Sequence, residues 1–208
     1  MISVKSIKHC YSNGNVLSFP DWEIADMDQW LLLGASGKGK STLLNIISGL
    51  LKPTEGAVFI DQTNLYQLSP KAMDKFRGQK IGIVFQKPHL IKSLTVIENL
   101  ELANTMAGCV VDKDFNTTLL ADLGLAVKLK SYPDELSEGQ LQRVSVARAL
   151  VNKPDILIVD EPTSSLDDKN AETVIEMLTS QAKSNGTALI IATHDQRVRN
   201  YISQSYLL

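Results

Sequence analysis

The sequence predicts an α/β protein in which a helical block interrupts a parallel sheet. Two short runs, DILIVD (155–160) and TALIIATHD (187–195), are apolar on both faces, as strands covered on both sides must be. Residues 94–152 instead carry three segments with apolar side chains three and four apart, the period of a helix. A glycine-rich turn, GASGKGKST (34–42), stands between an apolar run and an amphipathic one, which is the strand–turn–helix order of a phosphate-binding loop.

The elements follow in order. ISVKSIKHCYS (2–12) alternates apolar and polar residues, and VLSFPDWEI (16–24) is a candidate strand. QWLLLG (29–34) is a short apolar strand ending in glycine, and KSTLLNIISGL (40–50) is a helix with Gly49 and Pro53 as stop signals. AVFI (57–60) and KIGIVF (80–85) read as strands. The helices of the central block are LTVIENLELANTMAG (94–108), DFNTTLLADLGL (114–125) and EGQLQRVSVARALV (138–151). In the last, Leu141, Val144, Ala147 and Leu150 or Val151 share one face. A further helix, AETVIEMLTSQAKSNG (171–186), links the two fully apolar strands and ends at Gly186.

The 208 residues are 44% hydrophobic and 21% charged, with a formal net charge of −2, ordinary values for a globular chain. No basic tract is present, so no nucleic-acid partner is expected. Cys10 and Cys109 lack metal-ligand spacing and read as reduced structural thiols. MISVKSIKHCYS has no charged start followed by an apolar stretch, so it is not a signal peptide. No apolar run approaches the ~20 residues that span a bilayer. Work at a membrane would therefore need another chain to bring this one there.

The phosphate-binding loop comprises Gly34, Ala35, Ser36, Gly37, Lys38, Gly39, Lys40, Ser41 and Thr42. Its glycines let backbone N–H groups turn inward around phosphate oxygens, and the following helix end adds partial positive charge. Lys40 would reach the β- and γ-phosphates, Ser41 would ligate Mg²⁺, and Thr42 could bond a phosphate. Lys38 acts either through its backbone N–H or only as a solvated side chain. At the end of ILIVD, Asp160 could hold Mg²⁺ through water, and Glu161 could orient and deprotonate an attacking water. Gln86 and His194 each follow an apolar strand, where ligands gather in an open α/β sheet. Gln86 suits Mg²⁺ or the attacking water, and His194 suits the γ-phosphate. The run LSEGQ (136–140) starts a helix with Ser137 and Gln140 as a capping box.

This loop, the glutamine after a strand, LSEGQ, DEPTSSLD (160–167) and the histidine after a strand occur in one order. Together they resemble the nucleotide-binding domain of ATP-binding-cassette (ABC) proteins over nearly the whole chain. The resemblance implies a P-loop NTPase fold of the ABC type, with a RecA-like core, an N-terminal antiparallel β-subdomain and an inserted α-helical subdomain. One ABC ATPase domain would span 1–208: β-subdomain and core over about 1–92, helical subdomain over about 93–152, core again over about 153–208. ATP and Mg²⁺ would be the bound species, and ATP hydrolysis the reaction. Tyr11 would stack on adenine, or else pack at the sheet edge. Ser137, Gly139 and Gln140 would contact ATP held by a second cassette, paired head to tail, and Asp167 would couple the two sites. Arg143 and Arg148 would be structural or coupling residues. Glu138 departs from the family's usual glycine.

The run GQKIGIVFQKPHLIKSLTVIENL (78–100) resembles the lipoprotein-release, macrolide-efflux and cell-division class of the family. That implies a homodimer driving a separate integral membrane permease subunit from the cytoplasmic face of the cell membrane. His89, Leu90 and Ile91 would face that partner or make a contact within the monomer. DEPTSSLD (160–167) fits this class less well, since SALD-type sequences are frequent among amino-acid and metal-ion importers, which is one alternative; a non-transport ABC ATPase is the other. The chain closes at SYLL, so a ligand-binding regulatory domain is not expected.

Overall fold

In the computed structural model, residues 1–12, 14–163 and 168–208 are described. Strand β1 (Ile2–Cys10) buries Ile2, Val4 and Ile7, and its alternation shifts phase at Ser6, whose φ is 51°. The Ser6 amide donates to Asp21 Oδ1 at 2.6 Å, which holds this bulge. The stretch expected as one strand over 16–24 is two, β2 (Val16–Ser18) and β3 (Trp22–Ile24). Pro20, with φ fixed and no N–H to give a ladder, separates them. Both pair antiparallel with β1.

Strand β4 (Gln29–Leu33) runs into the glycine-rich turn and helix α1 (Lys40–Ile47). Strands β5 (Glu55–Ile60) and β6 (Thr63–Asn64) complete the antiparallel sheet, in the order β2-β1-β5-β6 with β3 also on β1. Helix α2 (Pro70–Lys80) was not foreseen. It has Ser69 as N-cap and Pro70 in its first turn, yet buries no residue, so no apolar stripe announces it. Strand β7 (Ile81–Val84) follows, and then α3 (Val96–Met106), α4 (Lys113–Asp122) and α5 (Glu138–Leu150), which pack on one another. The chain returns through β8 (Ile156–Asp160), α6 (Asp168–Asn185), β9 (Ala188–Thr193) and β10 (Gln204–Leu207).

The second sheet is parallel throughout, in the order β10-β4-β9-β8-β7. It is the wall between two apolar clusters. Leu31, Leu33, Leu157, Val159, Leu189 and Ile191 face the helices α3–α6. Leu32, Ile156, Ile158, Ile190, Ala192 and Tyr206 face α1 and the antiparallel sheet. The period-two alternation of each strand thus feeds two cores, which is why β8 and β9 are apolar on both faces.

Helix α5 is buried more widely than its sequence pattern indicated. Val144, Ala147, Leu150 and Val151 are inside, but so are Gln142, Ser145 and Val146, whereas Leu141 is half-buried. The helix packs on β7 as well as on α3, α4 and α6, so one stripe is not enough. A Cβ on Gly82 would lie 2.4 Å from the Ala149 carbonyl oxygen, so glycine is required there for β7 and α5 to approach this closely.

Candidate functional site

The site is assembled at the carboxyl ends of adjacent parallel strands. Register pairs Leu33 of β4 with Thr193 of β9, Ala192 of β9 with Asp160 of β8, and Val159 of β8 with Val84 of β7. The residues just beyond these ends are Gly34, His194, Glu161 and Gln86. A cleft of about 670 Å³ opens there, lined by Tyr11, Asn15, Leu17, Ser36, Gly37, Gly39, Lys40, Ser41, Thr42, Gln86, Glu161 and His194.

Lys40 opens α1 and is 8% exposed; its ammonium donates to the Gly34 carbonyl at 2.8 Å and lies 3.5 Å from Glu161 Oε1. Glu161, 15% exposed, is also 2.9 Å from His194 Nδ1 through its other oxygen. So a buried ammonium, a half-buried carboxylate and an exposed imidazole form one chain, in a setting where Coulomb interactions are less damped than in water. Glu161 has φ 48°, the left-handed region that a side chain rarely adopts, and its amide donates to the Ala192 carbonyl at 2.8 Å. The strand β8 therefore ends in a strained turn that aims the carboxylate into the cleft.

Gly37 and Gly39 have φ of 80° and 99°, which glycine alone takes without strain. A Cβ on Gly39 would also lie 2.8 Å from Leu17 Cδ1. The Tyr11 hydroxyl is 2.6 Å from Thr42 Oγ1, and its ring meets His9 edge-on at 4.7 Å, so Tyr11 stands on the rim. Gly34, Ala35 and Lys38 do not line the cleft. Gly34 acts there through its carbonyl, and the exposed Lys38 closes the turn by donating its amide to Ala35.

Asp160 lies behind Ser41 and is hydrogen-bonded to it. Burial pushes its carboxyl above the ordinary carboxylate range; the Ser41 bond and Lys40 oppose this, while Glu161 adds to it. Its Oδ1 is buried and has no hydrogen-bond partner among the described residues. A raised native pKa stabilises the fold below the ordinary Asp value, and that contribution is lost as pH rises through the native one. Asp160→Asn, uncharged at all pH, should therefore make the ligand-free chain more stable than wild type at neutral pH, with the difference shrinking in acid. Denaturant midpoints of both proteins across this range check the prediction; a pH-independent difference would refute it.

The LSEGQ segment is elsewhere. Ser137 is the N-cap of α5, accepting from the Gln140 amide at 3.3 Å, while Gln140 Oε1 accepts from the Ser137 amide at 2.9 Å. Ser137, Gly139 and Gln140 do not line the cleft. A Cβ on Gly139 would meet nothing within 4 Å, so this chain's own packing does not demand glycine there. Asp167 lies outside the described residues.

Sequence reasoning missed Asn15 and Leu17 as lining residues. Pairing β2 with β1, which puts Leu17 opposite His9, would have drawn both toward the Tyr11 rim. It also missed a tie at 2.9 Å between the Thr163 hydroxyl and Asp195 Oδ2, which joins the segments after β8 and β9.

A glycine-rich loop opening a helix, a buried lysine and a carboxylate pair at the end of strand β8 of the same sheet define a P-loop NTPase. The family model described as "ABC transporter" matches residues 18–164. The chain is 36% identical over 205 residues to the lipoprotein-releasing system ATP-binding protein LolD of Shewanella oneidensis, covering 95% of this chain and 89% of that one. With LolD of Legionella pneumophila it shares 36% over 208 residues, covering 98% and 91%. A dimeric ATP-binding cassette in a post-hydrolysis state, bound to ADP and Pi, superposes with a TM-score of 0.89 at 33% identity, over 100% of this chain and 94% of that one. cbiO1 from Clostridium perfringens, part of the ABC transporter complex cbiONQ, gives 0.87 at 31%, over 99% and 83%. The chain belongs to the ABC transporter family, and it is an ATPase of that family.

Proposed function

We propose that this chain is the ATP-hydrolysing subunit of a membrane complex of the lipoprotein-releasing type, working as a head-to-tail homodimer on the inner face of the cell membrane. The observation that carries this reading is the identity of about 36% to lipoprotein-releasing ATP-binding proteins along 95% of the chain. No helix among the described residues is long and apolar enough to cross a membrane; this reading assigns the membrane part to a partner chain.

Within the cleft, Lys40 leaves the Gly34 carbonyl and Glu161 to bind the β- and γ-phosphates, and the backbone N–H groups of 35–42 surround the phosphate oxygens. Tyr11 offers its ring to adenine. Glu161 takes the proton of the attacking water, and His194 holds Glu161 from one side while facing the γ-phosphate. The residues fit Mg²⁺: the unpartnered Asp160 Oδ1, the Ser41 hydroxyl and Gln86 are hard oxygen donors. Among the described residues no three His, Cys, Asp or Glu side chains form a metal cage, and Mg²⁺ held by one carboxylate, a hydroxyl and phosphates needs none. When bound, the ion supplies positive charge to the phosphate oxygens. Ser137, Gly139 and Gln140 reach the partner's nucleotide, and Asp167 links the two sites. The working units are a β-subdomain with core over about 1–92, a helical unit over about 93–152, and core again over about 153–208.

A groove of about 580 Å³, with Ile81, Ile83, Phe85, Ala103 and Met106 on its wall and Arg77, His89 and Arg148 at its polar edge, suits a helical segment of the membrane partner. Glu138, exposed in the first turn of α5, carries charge of the sign that a helix N-terminus favours. Glu138→Gly should leave the hydrolysis rate within about fivefold, the equivalent of ~1 kcal/mol of helix-end electrostatics. A gain far beyond this would mean that the carboxylate obstructs the paired site.

The reading is tested by pull-down of the tagged chain from detergent-solubilised membranes of its host. A polytopic partner with a large extracytoplasmic domain is expected. Recovery of only non-membrane proteins, with the chain absent from the membrane fraction, would overturn it.

A further inference from the structure

Residues 36–42 wrap the nucleotide cleft, and all of them line it except Lys38. That lysine stands between Gly37 and Gly39 and is exposed. The loop's other lysine, Lys40, is buried and engaged with Gly34 and Glu161. Glu138 is placed in the same way at the start of α5: it stands between Ser137 and Gly139 and is exposed. The two acids before it are engaged. Asp134 lies 3.0 Å from Lys92 Nζ, and Glu135 accepts from the Tyr132 amide at 2.8 Å. Among the described residues, neither Lys38 nor Glu138 has an ion-pair partner. The chain thus carries an uncommitted cation in its nucleotide loop and an uncommitted anion in the helix end it offers to a second site.

In the free chain the positive end of α5 favours Glu138. In a head-to-tail pair its surroundings change. Ser137 and Gly139 reach a nucleotide whose phosphates are held by loop 36–42 of the second copy, and the carboxylate between them is driven toward like charge. Consecutive Cα atoms are about 3.8 Å apart, so Glu138 and Lys38 each lie one residue from these contacts, within reach of two long side chains. We infer that Glu138 of one chain and Lys38 of a second copy form an ion pair across the dimer. Lys38 offsets the carboxylate against the triphosphate, and two-fold symmetry makes the pair twice. The surface therefore fits a second copy of this chain, and the two charges select it over a cassette that lacks either one. The inference rests on the proposed head-to-tail pairing.

The test is a double-mutant cycle in the Glu161→Gln background: Lys38→Gln, Glu138→Gln and both together. Pairing at saturating ATP and Mg²⁺ is measured by analytical ultracentrifugation, and ADP affinity at protein concentrations where the chain is monomeric. Lys38→Gln leaves two carboxylates facing triphosphates without a counter-ion, so pairing should weaken about ten- to a hundredfold. Adding Glu138→Gln removes those carboxylates and should regain most of the loss. Glu138→Gln alone gives up the ion pair and the repulsion together, so pairing should change by less than about fivefold. The effect of one substitution thus depends on the other, which two independent surface charges would not produce. Equal losses from Lys38→Gln with and without Glu138, or no loss at all, would overturn the inference. So would a fall in the ADP affinity of the Lys38→Gln monomer as large as its fall in pairing, since the lysine would then serve its own nucleotide. Ser137→Ala separates this from the underlying reading. If that variant pairs normally, the second-site role of the helix end is wrong and the ion pair falls with it. If it loses pairing while the cycle is additive, the ion pair alone is wrong.

Discussion

Glu161→Gln is expected to lower steady-state ATP hydrolysis by about 10²–10⁴-fold, the usual worth of a positioned general base. ATP should still bind. The substitution keeps the shape of the side chain in its strained turn and removes only the negative charge and the capacity to take a proton. It also relaxes the 3.5 Å pair with Lys40, which must break for the lysine to meet phosphate. Nucleotide should therefore bind at least as well as in wild type. With binding intact and turnover stopped, a paired ATP-bound form accumulates and elutes as a dimer in ATP and Mg²⁺. A variant that keeps more than about a tenth of wild-type turnover would remove Glu161 from the role of base. A stalled but strictly monomeric variant would count against the head-to-tail arrangement of the isolated chain.

Lys40→Ala is expected to cost about 2–5 kcal/mol of ATP binding, the range for truncating one partner of a buried charged contact. Lys40 is nearly closed off from water, so its interaction with phosphate is weakly screened. The loss should be specific to the phosphate end. ADP and ATP bind worse, while adenosine, which meets only the Tyr11 side of the cleft, is unaffected. Calorimetric titration with the three ligands checks this. Equal losses for all three would show that alanine had collapsed the loop instead of removing a contact. The ligand-free chain should survive the change, because Glu161 keeps its contact with His194.

The parts of the molecule that could be read in advance are those where local chemistry and tertiary demand agree. The phosphate-binding loop needs glycines at fixed offsets, and two of them, Gly37 and Gly39, do take the left-handed backbone. Strands β8 and β9 are apolar on both sides because both sheet faces are covered. Runs this short point to a covered strand, since a buried helix would be longer. The capping box at Ser137 and Gln140 is local and formed as written. What could not be read depends on distant partners. Helix α2 buries nothing, so no periodicity marks it. Strand β10 adds to the edge beside β4 and buries only Tyr206, so no apolar run marks it. Asn15 and Leu17 reach the cleft only because β2 folds back along β1. In α5 the polar Gln142 and Ser145 are buried, since neighbours on several sides enclose them. The break at Pro20 was visible in the sequence, but the apolar residues on either side of it suggested a continuous strand.

The segments carrying Gly34, Glu161, Gln86 and His194 leave neighbouring strands whose separation, about 4.8 Å, is fixed by backbone hydrogen bonds and not by loop conformation. The entropy of bringing these groups together was surrendered when the chain folded, and binding need not surrender it again. Amide protons along β4, β8 and β9 should therefore exchange with solvent almost as slowly without ligand as with it, and the slowing brought by ATP should be confined to the glycine-rich turn and the rim around Tyr11.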